Sequence, residues 1–532
     1  MTSFRSLYHI VRADFYERAR SYGFLVTIVL TILAAYFFVP FTDAKYGVVM
    51  INEHRGVYNS AWIGATVVMS TVTILSLIGF ALVKNAIDRD RMTRVGQIIA
   101  TTPISKFGYL FGKFVSNFIV LAIIVLIAFL VSIAMQLIRN EDTVIQLMDL
   151  LLPFVLVALP VMALVAALAV LFESTRILSG GAGIIIYFFL WSQVFLNYGV
   201  TVQLGNLALS SPMGLEVFYD SMIDTFREQK NVTGPVERAD GIIELDRPLE
   251  TFVWGGVDWT GEIVAGRLAW VVIALAVVLL AALVFRGFDK VMTKESFDLF
   301  SIFKRKKKGG KDEGWESSGG LSAKALSGIS LQFSFFNLLR YELWLMLKGQ
   351  KWWWYLVAIL FIAGDLLLPL EMVRSMLGPL TWVWPILIWS SMGVRELRFN
   401  TRDIVFSSMH PLERQIPATW FAGFIIALLT GIGFGLKLLL EGDLGGLFAW
   451  FVGAMFIPSL ALALGIWTRT NKTFEVVLLV MMFVGVMNQL QVFDFMGSMA
   501  SSPEKGLPFI YLIVTAVLLA AAVMGRRNQL QR

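Results

Sequence analysis

The chain has 532 residues, of which 57% are hydrophobic and only 15% are charged. Soluble domains use about 25% charged residues, so this composition excludes a soluble globular protein and indicates a membrane protein. The chain has no cysteine and only three histidines. Disulfides, thiol catalysis and thiolate metal sites are therefore excluded, and other metal chemistry is disfavoured.

Twelve runs with almost no charge have the length of roughly 20 residues that crosses a bilayer. They are 22–40, 60–83, 114–137, 150–172, 179–200, 268–285, 352–370, 375–394, 415–436, 444–468, 476–493 and 506–525. We therefore predict an all-α integral membrane protein with twelve transmembrane helices. Asp365 is the one side chain in these runs that is charged at neutral pH. Its place near the outer end of its run predicts that it faces an outer vestibule or snorkels, and a proton site is the alternative. It is also the one candidate for a substrate path.

The charges between the runs alternate in sign. One set of tails and loops holds 33 Lys/Arg and 16 Asp/Glu, and the other set holds 11 and 21. The first set comprises 1–21, 84–113, 173–178, 286–351, 395–414, 469–475 and 526–532. Because basic loops stay in the cytoplasm, we expect both termini inside, in a cytoplasmic membrane. The basic net charge then reflects topology, and no nucleic-acid partner is expected.

The two halves of the chain repeat each other. Residues 10–16 (IVRADFY) precede the first run as residues 338–344 (LLRYELW) precede the seventh. Thr93-Arg94 also precedes Pro103 by the spacing with which Thr401-Arg402 precedes Pro411. Both halves start on the same side of the membrane, so the predicted repeats are parallel.

These repeats divide the chain into three parts. We predict a first six-span half at 1–285, a cytoplasmic linker at 286–330 and a second six-span half at 331–532. The linker is basic and then rich in Gly and Ser, which is typical of a flexible connection. The first half carries a long outer loop at 201–267, which is consistent either with a gate or cap over an exit path or with a soluble decoration.

Two features on the predicted cytoplasmic side recur in both halves. An amphipathic segment precedes each half, which indicates an interfacial helix or a simple anchor. The charged loop 84–113 and its counterpart 395–414 each fit a short helix that rests its apolar side on the spans and presents charge to a partner. A solvated connection is the alternative for both loops.

The stretch 94–106 (RVGQIIATTPISK), followed by Gly112-Lys113, resembles the cytoplasmic loop of type 2 ATP-binding-cassette exporter permeases. In that family the pattern is roughly Gly-Thr-x-Glu-x-Leu-Leu-x-Thr-Pro-Ile/Val-Ser-Arg/Lys, then Gly-Lys. The family's six-span half, interfacial helix, coupling helix and outer segment all have counterparts here. The acid usual in its coupling helix aligns with Gln97 and Val405, so this sequence departs from the pattern there.

The resemblance implies a permease with both halves fused in one chain. The residues that it implies for coupling to the ATPase are Arg91, Arg94, Gln97, Pro103, Arg402, Asp403, Pro411 and Glu413. It further implies a hydrophobic or amphipathic substrate, such as a peptide, a lipid-like compound or a drug, and the cytoplasmic membrane of a prokaryote. No nucleotide-binding motif is present, so ATP and Mg are expected on a separate ABC ATPase subunit, acting as a dimer. We expect no catalytic residue, cofactor or metal on this chain.

Two other classes of protein stay open. A major-facilitator-type secondary transporter also has twelve spans in parallel halves, and residues 88–94 (DRDRMTR) are similar to its Asp-Arg-x-Gly-Arg loop, without the glycine. The amphipathic segments and the long outer loop fit that class poorly. A non-transporting membrane scaffold is the third possibility.

Overall fold

Helices dominate the computed structural model of this chain, which describes residues 2–20, 22–42, 44, 46–175, 178–179, 182–192, 202–204, 207–209, 211–245, 249–288, 333–348, 350, 352–482, 485 and 490–531. Within these residues seven helices are long and apolar enough to cross a membrane. They are Ser60–Arg91, Lys106–Arg139, Leu147–Ser174, Gly261–Val284, Pro411–Leu440, Leu444–Thr468 and Leu507–Leu530. The prediction of a helical membrane protein is confirmed at this level.

The helices are numbered here in chain order. The helices of the first part are α1 (Thr2–Ala19), α2 (Tyr22–Phe38), α3 (Ser60–Val83), α4 (Ala86–Met92), α5 (Val95–Ala100), α6 (Lys106–Arg139), α7 (Leu147–Pro153), α8 (Leu159–Ser174), α9 (Ala182–Leu190), α10 (Glu216–Lys230) and α11 (Gly261–Val284). Those of the second part are α12 (Phe335–Leu347), α13 (Trp352–Leu367), α14 (Leu370–Met372), α15 (Gly378–Val383), α16 (Ile386–Ser390), α17 (Arg395–Arg398), α18 (Arg402–Phe406), α19 (Pro411–Leu440), α20 (Leu444–Thr468), α21 (Lys472–Met481) and α22 (Leu507–Leu530). Two π-helical turns, Phe154–Ala158 and Val373–Leu377, and one 3-10 turn, Gln491–Phe493, complete the set.

Polar side chains cap the starts of four membrane-length helices, α3, α6, α11 and α20. Asn59 accepts a hydrogen bond from the N–H of Trp62 at 2.8 Å at the start of α3. Asp443 accepts one from the N–H of Gly446 at 2.8 Å at the start of α20, and Ser105 caps α6 in the same way. Each cap satisfies a backbone donor that the helix itself leaves unpaired, which fixes where the apolar helix begins.

Not every predicted run forms one helix. The run 375–394 is divided among a π-helical turn, α15 and α16, and Pro379 and Pro385 lie at the starts of these pieces. Proline lacks the N–H that a continuous helix requires, which explains the break. The runs 179–200 and 476–493 begin with the short helices α9 and α21, and their continuations fall partly outside the described residues, as does nearly all of the predicted linker.

The loops that the charge pattern predicts on the outer side form β-structure, here called the outer unit, which the sequence does not predict. Strands β1 (Tyr46–Ile51), β2 (His54–Gly56), β5 (Arg238–Glu244) and β6 (Glu250–Phe252) build one sheet in the order β5-β1-β2-β6, and β3 (Val202–Leu204) and β4 (Leu207–Leu209) form a second. β1 runs antiparallel to β5, with Val49 opposite Asp240, and β2 runs parallel to β6. The loop between α2 and α3 and the long loop before α11 are therefore one folded unit.

Arginines fasten this outer unit to the helices. Arg55 of β2 donates two hydrogen bonds to the carboxylate of Glu141, at 2.8 and 3.0 Å, beyond the end of α6. Arg267 of α11 is fully buried and donates to the carbonyl oxygens of Ser211 and Pro212 at 2.9 and 2.8 Å. Each guanidinium group thus makes two hydrogen bonds that hold the β-structure at one end of the helical bundle.

Glycines let α19 approach its neighbours closely. A Cβ atom on Gly433 would lie 2.7 Å from the carbonyl oxygen of Ile362, in α13. Cβ atoms on Gly431 and Gly435 would each lie 2.9 Å from the indole of Trp450, in α20. Small residues permit this kind of close helix packing in membranes.

Candidate functional site

Two connections between long helices have the same construction. Loop A (residues 84–113) contains α4 and α5 and joins α3 to α6, and loop B (residues 395–414) contains α17 and α18 and leads into α19. In each loop an exposed turn follows the second short helix and ends at a proline, Pro103 or Pro411. Short helices therefore lie where the sequence predicts them.

The helix α5 turns one side toward the protein and the other toward solvent. On the inner side, a Cβ atom on Gly96 would lie 2.4 Å from the ring of Phe288. On the outer side Arg94 and Gln97 are exposed, and Ile98 has 68% of its surface accessible. This side of α5 therefore presents both polar and apolar surface to solvent.

The helix α18 presents a similar surface. Ile404 is 75% exposed and Asp403 beside it is exposed. Arg402, however, is half-buried and donates a hydrogen bond to the carbonyl oxygen of Gln529 in α22 at 2.5 Å. Arg94 and Arg402 hold matching places in the sequence, but only Arg94 is exposed.

The other predicted coupling residues also divide by exposure. Arg91 is half-buried, donates to Asp88 at 3.0 Å and lies over the ring of Phe285. Pro103 is exposed in its turn, whereas Pro411 starts α19 and is half-buried. Glu413 is exposed on the first turn of the same helix.

A buried acid anchors the start of loop A. Glu173, at the end of α8, accepts hydrogen bonds from the backbone N–H groups of Asn85, Ala86 and Ile87. These are the unpaired donors at the start of α4, where a negative charge is favoured. The direction of α4 is therefore set by α8.

A buried lysine joins loop A to the helix α1. Lys113 of α6 is only 1% exposed, and its ammonium group lies 2.8 Å from a carboxylate oxygen of Asp14 and 2.7 Å from one of Asp90. Tyr109 donates its hydroxyl to Asp90 at 2.6 Å. Arg89 completes the contact by pairing with Glu17 of α1 at 2.8 Å. Three elements, α1, α4 and α6, thus share one charge network.

Loop B is fixed by a second network with different residues. Arg395 donates to Glu342 of α12 at 2.8 Å, and Arg526 of α22 lies 3.3 Å from Glu396. Burial raises the pKa of Glu342, and the neighbouring guanidinium of Arg395 opposes the shift. An acid on the helix that precedes the first apolar helix of each half, Asp14 or Glu342, therefore pairs with a base linked to the following loop.

Sequence reasoning missed these anchors. Lys113, Glu173, Glu396 and Arg526 were not among the predicted site residues, because a charged residue beside an apolar run normally lies in water. One signal was available: the matched segments 10–16 and 338–344 both carry an acid at the same place, on the face that the structure buries.

Asp365 lies apart from both loops. It is near the end of α13 and is 0% exposed. The expectation that it faces an outer vestibule is therefore wrong: the close approach of α13 and α19 at Gly433 encloses it.

Known proteins offer no template for this arrangement. No protein-family model matches the chain, no curated protein matches it and no solved structure matches it. The molecule itself presents two anchored loops, each with an exposed isoleucine.

Proposed function

We propose that this chain is the membrane-spanning permease of an ATP-driven ABC exporter, built as two parallel six-span halves with twelve spans in all. Hydrolysis takes place on a separate ATPase dimer, which holds ATP and Mg. The substrate is hydrophobic or amphipathic, a peptide, a lipid-like compound or a drug, because the spans offer mostly apolar surface. Loops A and B are the two coupling elements in this proposal.

The observation that carries the proposal is the shared design of the two loops. Each presents a short helix with one exposed isoleucine, Ile98 or Ile404. Each is also anchored by ion pairs to an element outside the loop. A partner with two equal clefts, as in an ATPase dimer, would match two such elements.

The anchors suit a mechanical role. Removing one partner of a buried ion pair lowers the free energy of unfolding by about 3–5 kcal/mol. A network of such pairs therefore resists deformation. Force applied to α5 would pass through α4 and Asp90 to Lys113 and hence to the long helix α6. Force on loop B would reach α12 and α22 through Arg395 and Arg526.

The test uses the exposed isoleucines. The double variant Ile98→Asp with Ile404→Asp places charge at the centre of both proposed contacts, where a desolvated charge without a partner opposes association. Affinity-tagged chain purified from its native membranes should carry ATP hydrolysis activity in the wild type and lose most of it in the double variant. Each single variant should lose less, since the other loop still docks.

The matched control is Val253→Asp. Val253 is 58% exposed beyond β6, in the outer unit, so this substitution adds the same charge at a similarly exposed apolar site away from the loops. It should retain the co-purifying ATPase activity. Equal activity in the wild type, the control and the double variant would show that the loops are only solvated connections.

One observation favours a secondary carrier as the second candidate. Asp365 is a buried carboxyl among apolar helices, and such groups often couple ions to transport. Transport by the purified chain in vesicles without ATP, abolished by Asp365→Asn, would support that class and overturn the exporter proposal.

A further inference from the structure

Two buried aspartates in the second half have opposite surroundings. Asp494, before the last apolar helix, accepts hydrogen bonds from the N–H and hydroxyl groups of Ser498, the N–H of Met499 and the hydroxyl of Ser502. Asp365 is more deeply buried, yet neither of its carboxylate oxygens has a hydrogen-bond partner among the described residues. The backbone of Phe434 faces the carboxyl but makes no hydrogen bond of normal geometry with it.

Among the described residues, the elements packed most closely on α13 offer no free cation to Asp365. These elements are α19, α15 and the π-helical turn Val373–Leu377. In the π-helical turn, Arg374 bonds to Asp443. In α19, Lys437 lies one turn beyond Gly433 and pairs with Glu441 at 3.3 Å.

The remaining charges of these elements are distant. Glu413 and Arg414 lie about 20 residues earlier in α19 than Phe434, which is about 30 Å along a helix. The helix α15 carries no ionisable residue, and α13 carries only Asp365 and Tyr355, which lies ten residues earlier, about 15 Å along the helix. An ionised carboxylate here would therefore be buried without a partner, which costs far more than burying the neutral acid.

The helices α13 and α19 touch beside the group. At Gly433 a Cβ atom would lie 2.9 Å from the Cβ of Asp365 and 2.7 Å from the carbonyl oxygen of Ile362. Asp365 has no exposed surface in this contact. Separation of α13 and α19 would open a route for water to the carboxylate.

We propose that Asp365 is a proton-binding site that controls the contact between α13 and α19. With the proton bound, the neutral acid is accommodated in the closed contact. When the proton leaves to water, the carboxylate requires hydration and the two helices separate. The site acts within this chain alone, so it holds whether transport is driven by ATP or by an ion gradient.

The experiment measures the melting temperature of the full chain in lipid nanodiscs by tryptophan fluorescence, at values from about pH 5 to about pH 9. The folded chain holds the Asp365 proton while the unfolded chain releases it, so the wild type should lose stability as the pH rises. Asp365→Asn and Asp365→Leu cannot ionise. The wild type should therefore fall below both variants progressively with rising pH and approach them at low pH.

Two controls sharpen the result. Asp494→Asn changes a buried carboxyl that is fully hydrogen-bonded, and it should lower the melting temperature throughout the range. Lys437→Met should leave the pH dependence of the wild type intact, because Lys437 pairs with Glu441.

Two results would overturn the proposal. One is an equal pH dependence in the wild type, Asp365→Asn and Asp365→Leu, which would show that Asp365 binds no proton in this range. The other is loss of the pH dependence in Lys437→Met, which would make Asp365 one half of an ion pair. Because no ATPase is present in the assay, failure here is distinct from failure of the exporter proposal.

Discussion

Lys113 carries a positive charge inside the protein, and two carboxylates from different elements compensate it. Asp14 comes from α1 and Asp90 from α4, and each lies within 3 Å of the ammonium group. Such a triad brings the three elements into one arrangement, because each charge alone would be costly to bury.

Removing the central charge should therefore be severe. In Lys113→Met both carboxylates stay buried without their cation, and we expect the free energy of unfolding to fall by about 3–5 kcal/mol. The change would be measured as a lower melting temperature of the purified chain in nanodiscs.

The matched control is Arg227→Gln in α10. Arg227 is 46% exposed and lies 3.9 Å from Asp224, so water screens the pair and the loss should be no more than about 1 kcal/mol. If the two substitutions had equal effects, the network around Lys113 would not be an anchor.

Arg94 and Arg402 show that equal sequence spacing does not predict equal exposure. Both follow a threonine and precede a proline by the same distance, yet Arg402 bonds to the carbonyl oxygen of Gln529 and Arg94 is exposed. The difference arises from α22, which lies more than a hundred residues away in sequence. Reversing the charge of Arg402 would thus disturb loop B itself, so the exposed isoleucines give the cleaner test.

At the scale of the helices, charge-free runs in the sequence predict well where a long helix begins and ends. The helix α3 (Ser60–Val83) and the helix α20 (Leu444–Thr468) match their runs residue for residue. Length and apolarity suffice here because backbone groups in lipid must pair within the helix. The same criterion fails for the run 375–394, where prolines interrupt the backbone hydrogen bonds without adding charge.

The outer sheet could not be predicted from local pattern. The strand β1 has the sequence YGVVMI, which is too short to distinguish from the edge of an apolar helix. Its partner β5 lies almost 200 residues later. Only the three-dimensional pairing reveals that both belong to one sheet.

The contact between α13 and α19 should depend on the size of one residue. In Gly433→Ala the added methyl group would lie 2.7 Å from the carbonyl oxygen of Ile362. The helices must shift, and we expect a loss of about 1–3 kcal/mol, seen as a lower melting temperature.

Gly261→Ala, at the first residue of α11, is the control for this substitution. Nothing lies within 4 Å of a Cβ atom there, so the change should be neutral or stabilise the protein by about 0.5–1 kcal/mol. A Gly433→Ala variant as stable as this control would mean that the two helices do not touch at this level.

The molecule as a whole has one basic and one acidic set of loops. The outer sheet is built from the acidic set, and loops A and B belong to the basic set. The positive-inside rule then predicts that the sheet faces outward and that both loops face the cytoplasm.

Single cysteines in this cysteine-free chain can test that orientation. Thr143 and Thr251 are exposed in the acidic set, and Thr101 and Ser408 are exposed in loops A and B. Cysteines at the first two positions should react in intact cells with a thiol reagent that cannot cross membranes. Cysteines at the other two should react only after the membrane is permeabilised, and labelling of Thr101→Cys in intact cells would contradict the predicted topology.

The pairing of β1 with β5 imposes a delay during biosynthesis, because β5 is made long after β1. Val49 pairs with Asp240, and at a synthesis rate of about 5–20 residues per second the first strand must wait roughly 10 to 40 s for its partner. During that interval the edge of β1 that β5 later covers has no neighbour and is open to pairing with other chains. The helices from α3 to α9 are made in the same interval, so the outer unit closes only after most of the first half has been inserted.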